Sequence, residues 1–139
     1  MGRHGFTLTE VLIACVIISI LAAMAVPQFQ RTTERSYWRS ARDILETIYA
    51  GEQVYYLQED SYKAFDTRKA AGDFAYWRPI FMDNPNMDRT IPVAFQVAIG
   101  GGGTTFLSTV TRSGGRCNAK TQTIDHNHTR GGTWPEQGC

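Results

Sequence analysis

The stretch that decides the fold is Gly5-Phe6-Thr7-Leu8-Thr9-Glu10-Val11, together with the apolar run that follows it as far as Val26. From Phe6 to Val26 there are 21 residues and a single charged side chain, that of Glu10. A helix of that length measures roughly 30 Å, which is the thickness of the hydrocarbon core of a bilayer. The sequence therefore predicts a helix over residues 6–27 that can span a membrane.

Only five residues, Met1 to Gly5, precede this apolar run. An ordinary secretory signal has its apolar segment ahead of the cleavage point and loses that segment on processing. Here the apolar segment follows only five residues, so cleavage would occur ahead of it. We therefore expect the mature chain to keep the apolar segment.

These residues resemble the type IV prepilin signature, in which a short basic leader ending in Gly is followed by Phe-Thr-Leu-x-Glu and a long apolar segment. The match runs from Gly5 to Pro27 nearly position for position. The resemblance implies that residues 1–5 are a leader, which a prepilin peptidase cleaves between Gly5 and Phe6. It also implies methylation of the new Phe6 amino group and assembly of the mature chain into a helical filament.

The same resemblance implies a precursor in the bacterial inner membrane and a filament at the cell surface. The implied partners are further copies of this chain, a prepilin peptidase, an inner-membrane assembly platform and cytoplasmic ATPases. The distribution of basic residues does not support a cytoplasmic amino end by the positive-inside rule, because four arginines follow the span and the leader offers one. We give the family resemblance more weight than this argument and expect a cytoplasmic amino end. The four arginines are Arg31, Arg35, Arg39 and Arg42.

Length and charge limit what the rest of the chain can be. Of the 139 residues, 28–139 remain for a globular head, which is enough for one small domain with its own core. Fourteen Lys and Arg against thirteen Asp and Glu give a net charge of +1, so bulk charge indicates no nucleic-acid partner. No cofactor is expected either.

The first helix is predicted to continue well beyond the apolar run. Pro27 would remove one backbone hydrogen bond and crowd the Ala23 carbonyl, so the helix should bend or loosen over residues 22–26. Apolar residues then recur at spacings of three, four and seven as far as about Leu57, which indicates one buried helix face. These residues are Tyr37, Ala41, Ile44, Leu45, Ile48 and Tyr55. On the other face, Arg39 with Asp43 and Arg42 with Glu46 are spaced to pair.

The remainder of the chain changes from helical to strand-like patterns. Residues 58–89 contain turn signals and predict an irregular connection, with at most a short helix near residues 66–71. Alternating apolar residues after Pro92 predict a strand over 93–99, and β-rich runs follow at 104–112 and 121–125. The tail from Gly131 to Pro135 reads as a loop. The predicted fold class is therefore α+β: a long amino-terminal helix packed on a small antiparallel sheet, as in pilins.

The three cysteines fall into two groups. Cys15 lies within the apolar run, where a thiol is usually a small apolar filler. Cys117 and Cys139 bound the last 23 residues of a head that the resemblance places outside the cytoplasm, where disulfides form and persist. We expect a Cys117–Cys139 disulfide and a free Cys15.

Glu10 has two interpretations. Thr7-x-x-Glu10 fits a capping box, in which both side chains satisfy backbone amides at the start of a helix. A carboxylate in an apolar environment also needs a partner, and cleavage would create one in the Phe6 amino group. The resemblance favours a pairing of Glu10 with the Phe6 amine of a neighbouring subunit, and the cap can coexist with it.

No nucleophile–base constellation or phosphate loop is present, so the sequence predicts neither an enzyme nor a catalytic residue. His126-Asn127-His128 could supply zinc ligands together with Cys117 and Cys139, but the spacing matches no closed zinc site. A polar turn explains the triplet more simply, and the many aromatic residues are expected to pack in the core and at interfaces.

Three functions remain open. The favoured one is a structural subunit of a type IV pilus, with adhesion, twitching motility or DNA uptake as uses of the filament. The first alternative is a type II secretion pseudopilin, against which the carboxy-terminal cysteine pair argues; Glu10 argues further against a tip pseudopilin. The second alternative is a membrane-tethered binding domain, which explains neither the short leader nor the amphipathic continuation of the helix.

Overall fold

The computed structural model describes residues 5–68 and 72–139. Its dominant element is a helix of 52 residues, α1 (Leu8–Glu59), which ends close to the predicted Leu57. Residues 1–4 of the expected leader and residues 69–71 of the expected short helix lie outside the described residues.

Both ends of α1 are capped. Thr7 has an extended backbone (φ −79°, ψ 152°) and forms the N-cap of a capping box with Glu10. At the other end Asp60 adopts the left-handed conformation (φ 53°, ψ 26°), and its N–H donates to the Tyr56 carbonyl over 2.9 Å. Asp tolerates this conformation better than most residues, so the helix stops there.

Pro27 lies inside α1 and does not end it. One proline removes a single hydrogen bond of the helical ladder, and the neighbouring turns keep theirs. The bend or loosening that we expect over residues 22–26 stays a prediction.

The predicted apolar face of α1 packs in the head. Ala41, Leu45 and Ile48 are fully or almost fully buried, while the other predicted members, Tyr37, Ile44 and Tyr55, are partly buried against the core. Gly51 lies on the same face. A Cβ at Gly51 would lie 3.1 Å from the Ile80 Cβ and overlap the Ile80 carbonyl, so glycine permits this close approach.

The sheet is an antiparallel meander in the order β1 to β4. Its first three strands, β1 (Val93–Gly100), β2 (Thr105–Arg112) and β3 (Thr121–Asp125), confirm the predicted ones. Their inward side chains, with Phe95, Val110 and Ile124 almost completely buried, pack on the second half of α1. The predicted α+β class is confirmed.

A short fourth strand, β4 (Arg130–Gly132), was not predicted. The expectation of a loop was wrong for Gly131 and Gly132, which pair with Thr123 and Gln122 of β3. Gly132 has φ +120°, and a Cβ there would overlap the Thr121 backbone. Two glycines read as a loop in sequence, yet here they let two backbones pair closely.

The connection between helix and sheet is irregular, as predicted, but its helical turns lie elsewhere. Residues 66–68 are not helical, because the Asp66 carboxylate accepts the Arg68 N–H in a local turn. A 3₁₀ helix instead spans Asp73–Ile80, and a second one spans Pro85–Met87. Trp77 of the first is fully buried and stacks on Phe65 with ring centroids 4.6 Å apart.

Candidate processing and assembly site

The predicted cleavage point lies at the free end of α1. Gly5 and Phe6 precede the helix, both are exposed, and the Phe6 side chain is 87% accessible. Among the described residues, no heavy atom would lie within 4 Å of a Cβ added at Gly5. The described part of the chain therefore leaves the Gly5–Phe6 peptide bond exposed.

Glu10 takes part in a complete capping box. The Thr7 N–H donates to Glu10 Oε2 over 2.9 Å, and the Glu10 N–H donates to Thr7 Oγ1 over 3.3 Å. The Thr7 hydroxyl also donates to Glu10 Oε2, over 2.8 Å. The cap interpretation of Glu10 is thus confirmed.

The cap does not use the whole carboxylate. Both hydrogen bonds from Thr7 are accepted by Oε2, and within residues 5–68 and 72–139 no donor lies on Oε1. Glu10 is fully exposed in the single chain. One carboxylate oxygen is therefore left for a donor from another molecule.

Within the described residues, no side chain in the first part of α1 is buried against the rest of the chain. Residues 5–32 are all exposed, and their large apolar side chains are between 52% and 87% accessible. Within the described residues, α1 is the one helix long and apolar enough to cross a membrane. Such a continuous apolar surface indicates contact with lipid or with other protein chains. The exposed residues include Leu8, Val11, Leu12, Ile13, Val16, Ile17, Ile18, Ile20, Leu21, Met24, Val26 and Phe29.

A buried ion pair marks the point where α1 enters the head. Arg112 of β2 donates to Glu34 through Nη2 over 2.8 Å and through Nε over 3.1 Å, and both residues are about 95% buried. The Arg112 guanidinium also lies 4.9 Å from the ring centre of Tyr37 and donates to the Pro92 carbonyl over 3.0 Å. Sequence spacing could not indicate this pair, because the two residues are 78 positions apart.

The cysteines are arranged as predicted. Cys117 and Cys139 form a disulfide with their Cα atoms 5.4 Å apart, and Cys15 is free and exposed on the apolar segment. Arg116 Nε donates to the Cys139 carbonyl over 3.0 Å, which further fixes the carboxyl terminus. The tail is thereby held beside the base of the head, where Arg35 Nε donates to the Gln137 carbonyl over 3.2 Å.

Glu46 does not pair with Arg42 as the helical spacing predicted. It accepts hydrogen bonds from His128 Nε2 over 2.8 Å and from Arg130 Nε over 2.8 Å, both on the β3–β4 hairpin. Burial by itself raises the pKa of Glu46, but the contacts with His128 and Arg130 outweigh it and lower that pKa below its usual value. Arg42 instead lies over the Trp38 ring, 5.2 Å from its centre.

The histidine triplet forms a turn. Asp125 Oδ1 accepts the backbone N–H groups of Asn127 and Thr129 over 2.9 and 2.7 Å. Cys117 and Cys139 form the disulfide and His128 binds Glu46, so these side chains already have partners other than a metal. Across residues 5–68 and 72–139, no group of three or more His, Cys, Asp or Glu side chains could hold a metal ion.

Comparison with known proteins identifies a known motif at the amino-terminal end of the chain. A family model described as the prokaryotic N-terminal methylation motif matches residues 1–26. The chain carries a prokaryotic N-terminal methylation motif. It is also 38% identical over 63 residues to the type IV major pilin protein PilA of Myxococcus xanthus (strain DK1622). The predicted resemblance to type IV pilins is thereby confirmed.

That similarity is confined to part of each protein. It covers 45% of this chain and 29% of the Myxococcus pilin, so this chain matches less than a third of that relative's length. No solved structure matches the chain.

Proposed function

We propose that this chain is a structural subunit of a type IV pilus, which polymerises through its amino-terminal helix into a surface filament. The methylation motif and the similarity to the Myxococcus major pilin support a pilin rather than another anchored protein. The observation that carries the proposal is the division of α1 into an exposed apolar half and a half packed in the head. The role is structural and needs no catalytic group.

The exposed half explains why this segment must stay in an apolar environment. Leaving a large apolar side chain in water instead of burying it costs about 1.5–3 kcal/mol, and a dozen such side chains of this half are accessible in the single chain. In the precursor these side chains face lipid over residues 6–27. In the filament they face the same segment of other copies, while residues 28–139 form the surface.

Glu10 and the Phe6 amine fix the register of neighbouring copies in this proposal. Cleavage after Gly5 gives Phe6 a positive amino group, and methylation retains that charge. The Oε1 atom of Glu10 is available to receive it, since the cap uses Oε2. A pair formed between staggered subunits neutralises both charges where the apolar helices exclude water.

A type II secretion pseudopilin is the nearest alternative, since it would share the amino-terminal helix. The Cys117–Cys139 disulfide supports a pilus subunit over a major pseudopilin. A membrane-tethered binding domain leaves the methylation motif without a purpose.

Processing and location follow from the same proposal. A prepilin peptidase removes residues 1–5, an assembly platform and its ATPases drive polymerisation, and the protein passes from the inner membrane to the cell surface. The exposed Gly5–Phe6 bond supports cleavage at that position.

The test is to shear surface filaments from cells that express the chain, image them, and determine the mass of their main protein. The expected species begins at Phe6 and carries one additional methyl group. An intact Met1 terminus in the filament protein, or cells that carry the processed protein without filaments, would overturn the proposal. Filaments that form only as short, secretion-dependent fibres would favour the pseudopilin.

A further inference from the structure

The arginines that contradict the positive-inside rule form a continuous surface. Arg31, Arg35 and Arg39 follow one another at intervals of four residues on α1, and all three are exposed. Four residues correspond to slightly more than one helical turn, so the three lie on one face. We call these three residues the arginine stripe.

The acids of α1 that could neutralise the arginine stripe are mostly engaged elsewhere, and Glu136 of the tail lies on the side of Trp38 and Arg42. Residues 31–46 contain three of them. Glu34 is buried against Arg112, and Glu46 binds His128 and Arg130, which leaves Asp43 at the far end of the stripe. The stripe is therefore a surface of net positive charge on a chain whose overall charge is nearly zero.

The stripe is also placed at a defined height above the apolar segment. Because α1 is continuous from Leu8 to Glu59, residue positions beyond Val26 convert into distances along the helix. At 1.5 Å per residue, Arg31 lies about 8 Å beyond Val26, Arg35 about 14 Å and Arg39 about 20 Å. The headgroup layer is roughly 5–8 Å deep on each side of the hydrocarbon core. Long arginine side chains extend the reach of Arg31 and Arg35 to the phosphates.

Polar groups beside the arginines suit a phosphate ligand. Thr32, Ser36 and Ser40 line a groove of about 320 Å³ together with Arg35 and Arg39, and Asp43 lies at the end of the groove farther from the apolar segment. Guanidinium groups bind phosphate oxygens through paired N–H donors, and hydroxyl groups add further donors. Arg35 donates to the Gln137 carbonyl through its Nε, and within residues 5–68 and 72–139 its terminal nitrogens have no partner, so they can bind a ligand.

We propose that the arginine stripe binds the phosphate groups of anionic lipids in the leaflet from which the head emerges. The contact holds the unassembled subunit against the bilayer and is released when the helix leaves the membrane for the filament. This inference rests on the membrane-inserted subunit of the proposed function. Its occupant is lipid rather than nucleic acid, because the stripe is attached to a membrane span and its arginines descend toward the headgroups.

The test uses the full chain reconstituted in phosphatidylcholine vesicles, with spin-labelled phosphatidylglycerol or spin-labelled phosphatidylcholine as probe. The preference of the protein for the anionic probe over the zwitterionic one is measured by electron paramagnetic resonance. We expect a clear preference that falls severalfold in Arg31→Gln/Arg35→Gln. Each arginine at surface level contributes up to about fivefold. Raising the salt concentration should weaken the preference as well.

A matched control removes two cations far from the membrane. Lys63→Gln/Arg78→Gln changes the net charge by the same amount. Lys63 adjoins Glu52 near the end of α1, and Arg78 belongs to the 3₁₀ helix whose Ile80 contacts Gly51. The control should retain the lipid preference. Height gives a second check, since Arg31→Gln should reduce the preference more than Arg39→Gln.

Several outcomes would overturn the proposal. They are an inserted chain with no preference for phosphatidylglycerol, an equal loss in the control, and arginine-dependent binding of duplex DNA without lipid preference. None of these affects the pilus proposal, which is tested by filaments. A chain that stays out of the vesicles would overturn both.

Discussion

Ile18 and Ile48 lie on the same helix, yet the first is 64% accessible and the second is fully buried. Ile18 belongs to the half of α1 that contacts nothing else in the described chain, and Ile48 packs under the sheet with Ala41 and Leu45. Burial of either side chain is worth a similar free energy. The difference is where the partner comes from: the head supplies it for Ile48, and lipid or another copy must supply it for Ile18.

Charged residues follow the same division. Glu10 in the exposed half is capped but keeps one oxygen for an outside donor. Glu34 and Glu52 in the packed half are buried, and their contacts come from the same chain. A change in the exposed half should therefore affect assembly, and a change in the packed half should affect the stability of the head.

The largest expected effect comes from Glu10→Ala. It should leave membrane insertion and cleavage after Gly5 intact but abolish most filaments, because the Phe6 amine of a neighbour would be a buried charge without a partner. Loss of the cap alone costs about 1 kcal/mol at a helix end and should not stop assembly. Filament yield and the amino-terminal mass of membrane protein measure the two halves of this prediction.

Thr7→Ala is the matched control for the cap, since it removes the side chain that binds the Glu10 amide and leaves the carboxylate. It should keep filaments. Normal filaments from Glu10→Ala would reduce Glu10 to a helix cap and remove the inter-subunit pairing.

The second-largest effect is expected from Arg112→Met. This change should destabilise the head without a direct effect on filament assembly. It leaves the buried Glu34 carboxylate without its partner, and breaking a buried pair from one side costs about 3–5 kcal/mol. Denaturant unfolding of the full chain in detergent measures the loss. Arg78→Met, an exposed arginine, should change little.

The double variant Glu34→Met/Arg112→Met removes both charges and should be clearly more stable than Arg112→Met. If Arg112→Met unfolds like the unsubstituted chain, the ion pair does not fasten the helix to the sheet.

The third effect is loss of the disulfide through Cys139→Ser. Opening a loop of this length should lower the free energy of unfolding by about 3 kcal/mol. Reductant should destabilise the unsubstituted chain by the same amount and leave Cys139→Ser unchanged. Cys15→Ser should behave like the unsubstituted chain, since Cys15 is free. A reductant response in Cys139→Ser would place the sensitive bond elsewhere.

The comparison of the two halves also explains what could be predicted. The successful predictions rest on local periodicities, and the structure shows each of them. They are the apolar run, the buried helix face of Ala41, Leu45 and Ile48, and the alternation in β1. The amino-terminal motif is equally local, and it carried the resemblance to pilins. Such patterns need no knowledge of the rest of the chain.

Three features that the sequence did not predict are pairings between distant residues. Glu46 has a helical neighbour at Arg42, but the β3–β4 hairpin offers His128 and Arg130 at closer range. From the sequence, Glu34 resembles a surface acid, but in the structure it pairs with Arg112 of β2. The strand at Arg130–Gly132 exists only because β3 presents an edge to pair with. Sequence spacing could not indicate which of these partners the fold would bring together.

The smallest effect concerns Glu52, which is fully buried near the end of α1. Its Oε2 accepts the Lys63 N–H over 2.9 Å, while Oε1 has no hydrogen-bond partner. Burial raises the pKa of Glu52 from 4.5 to about 7, and the Lys63 N–H and ammonium offset this only in part. Because the folded head holds this proton more tightly than the unfolded chain, the stability linked to it is full below pH 4.5 and is lost as the pH rises through about 7.

Glu52→Gln keeps the acceptor for Lys63 and removes the titration. It should match the unsubstituted head at pH 4.5 and be the more stable of the two at pH 8, by no more than about 3 kcal/mol. Unfolding of both proteins across this range measures the difference in stability, and taking the difference cancels the titrations that the two proteins share. Glu59→Gln, which changes an exposed acid on the same helix, should show no such divergence. If the Glu52→Gln and unsubstituted curves stay parallel from pH 4.5 to 8, the pKa of Glu52 is the same in the folded head as in the unfolded chain, and a donor must reach its Oε1.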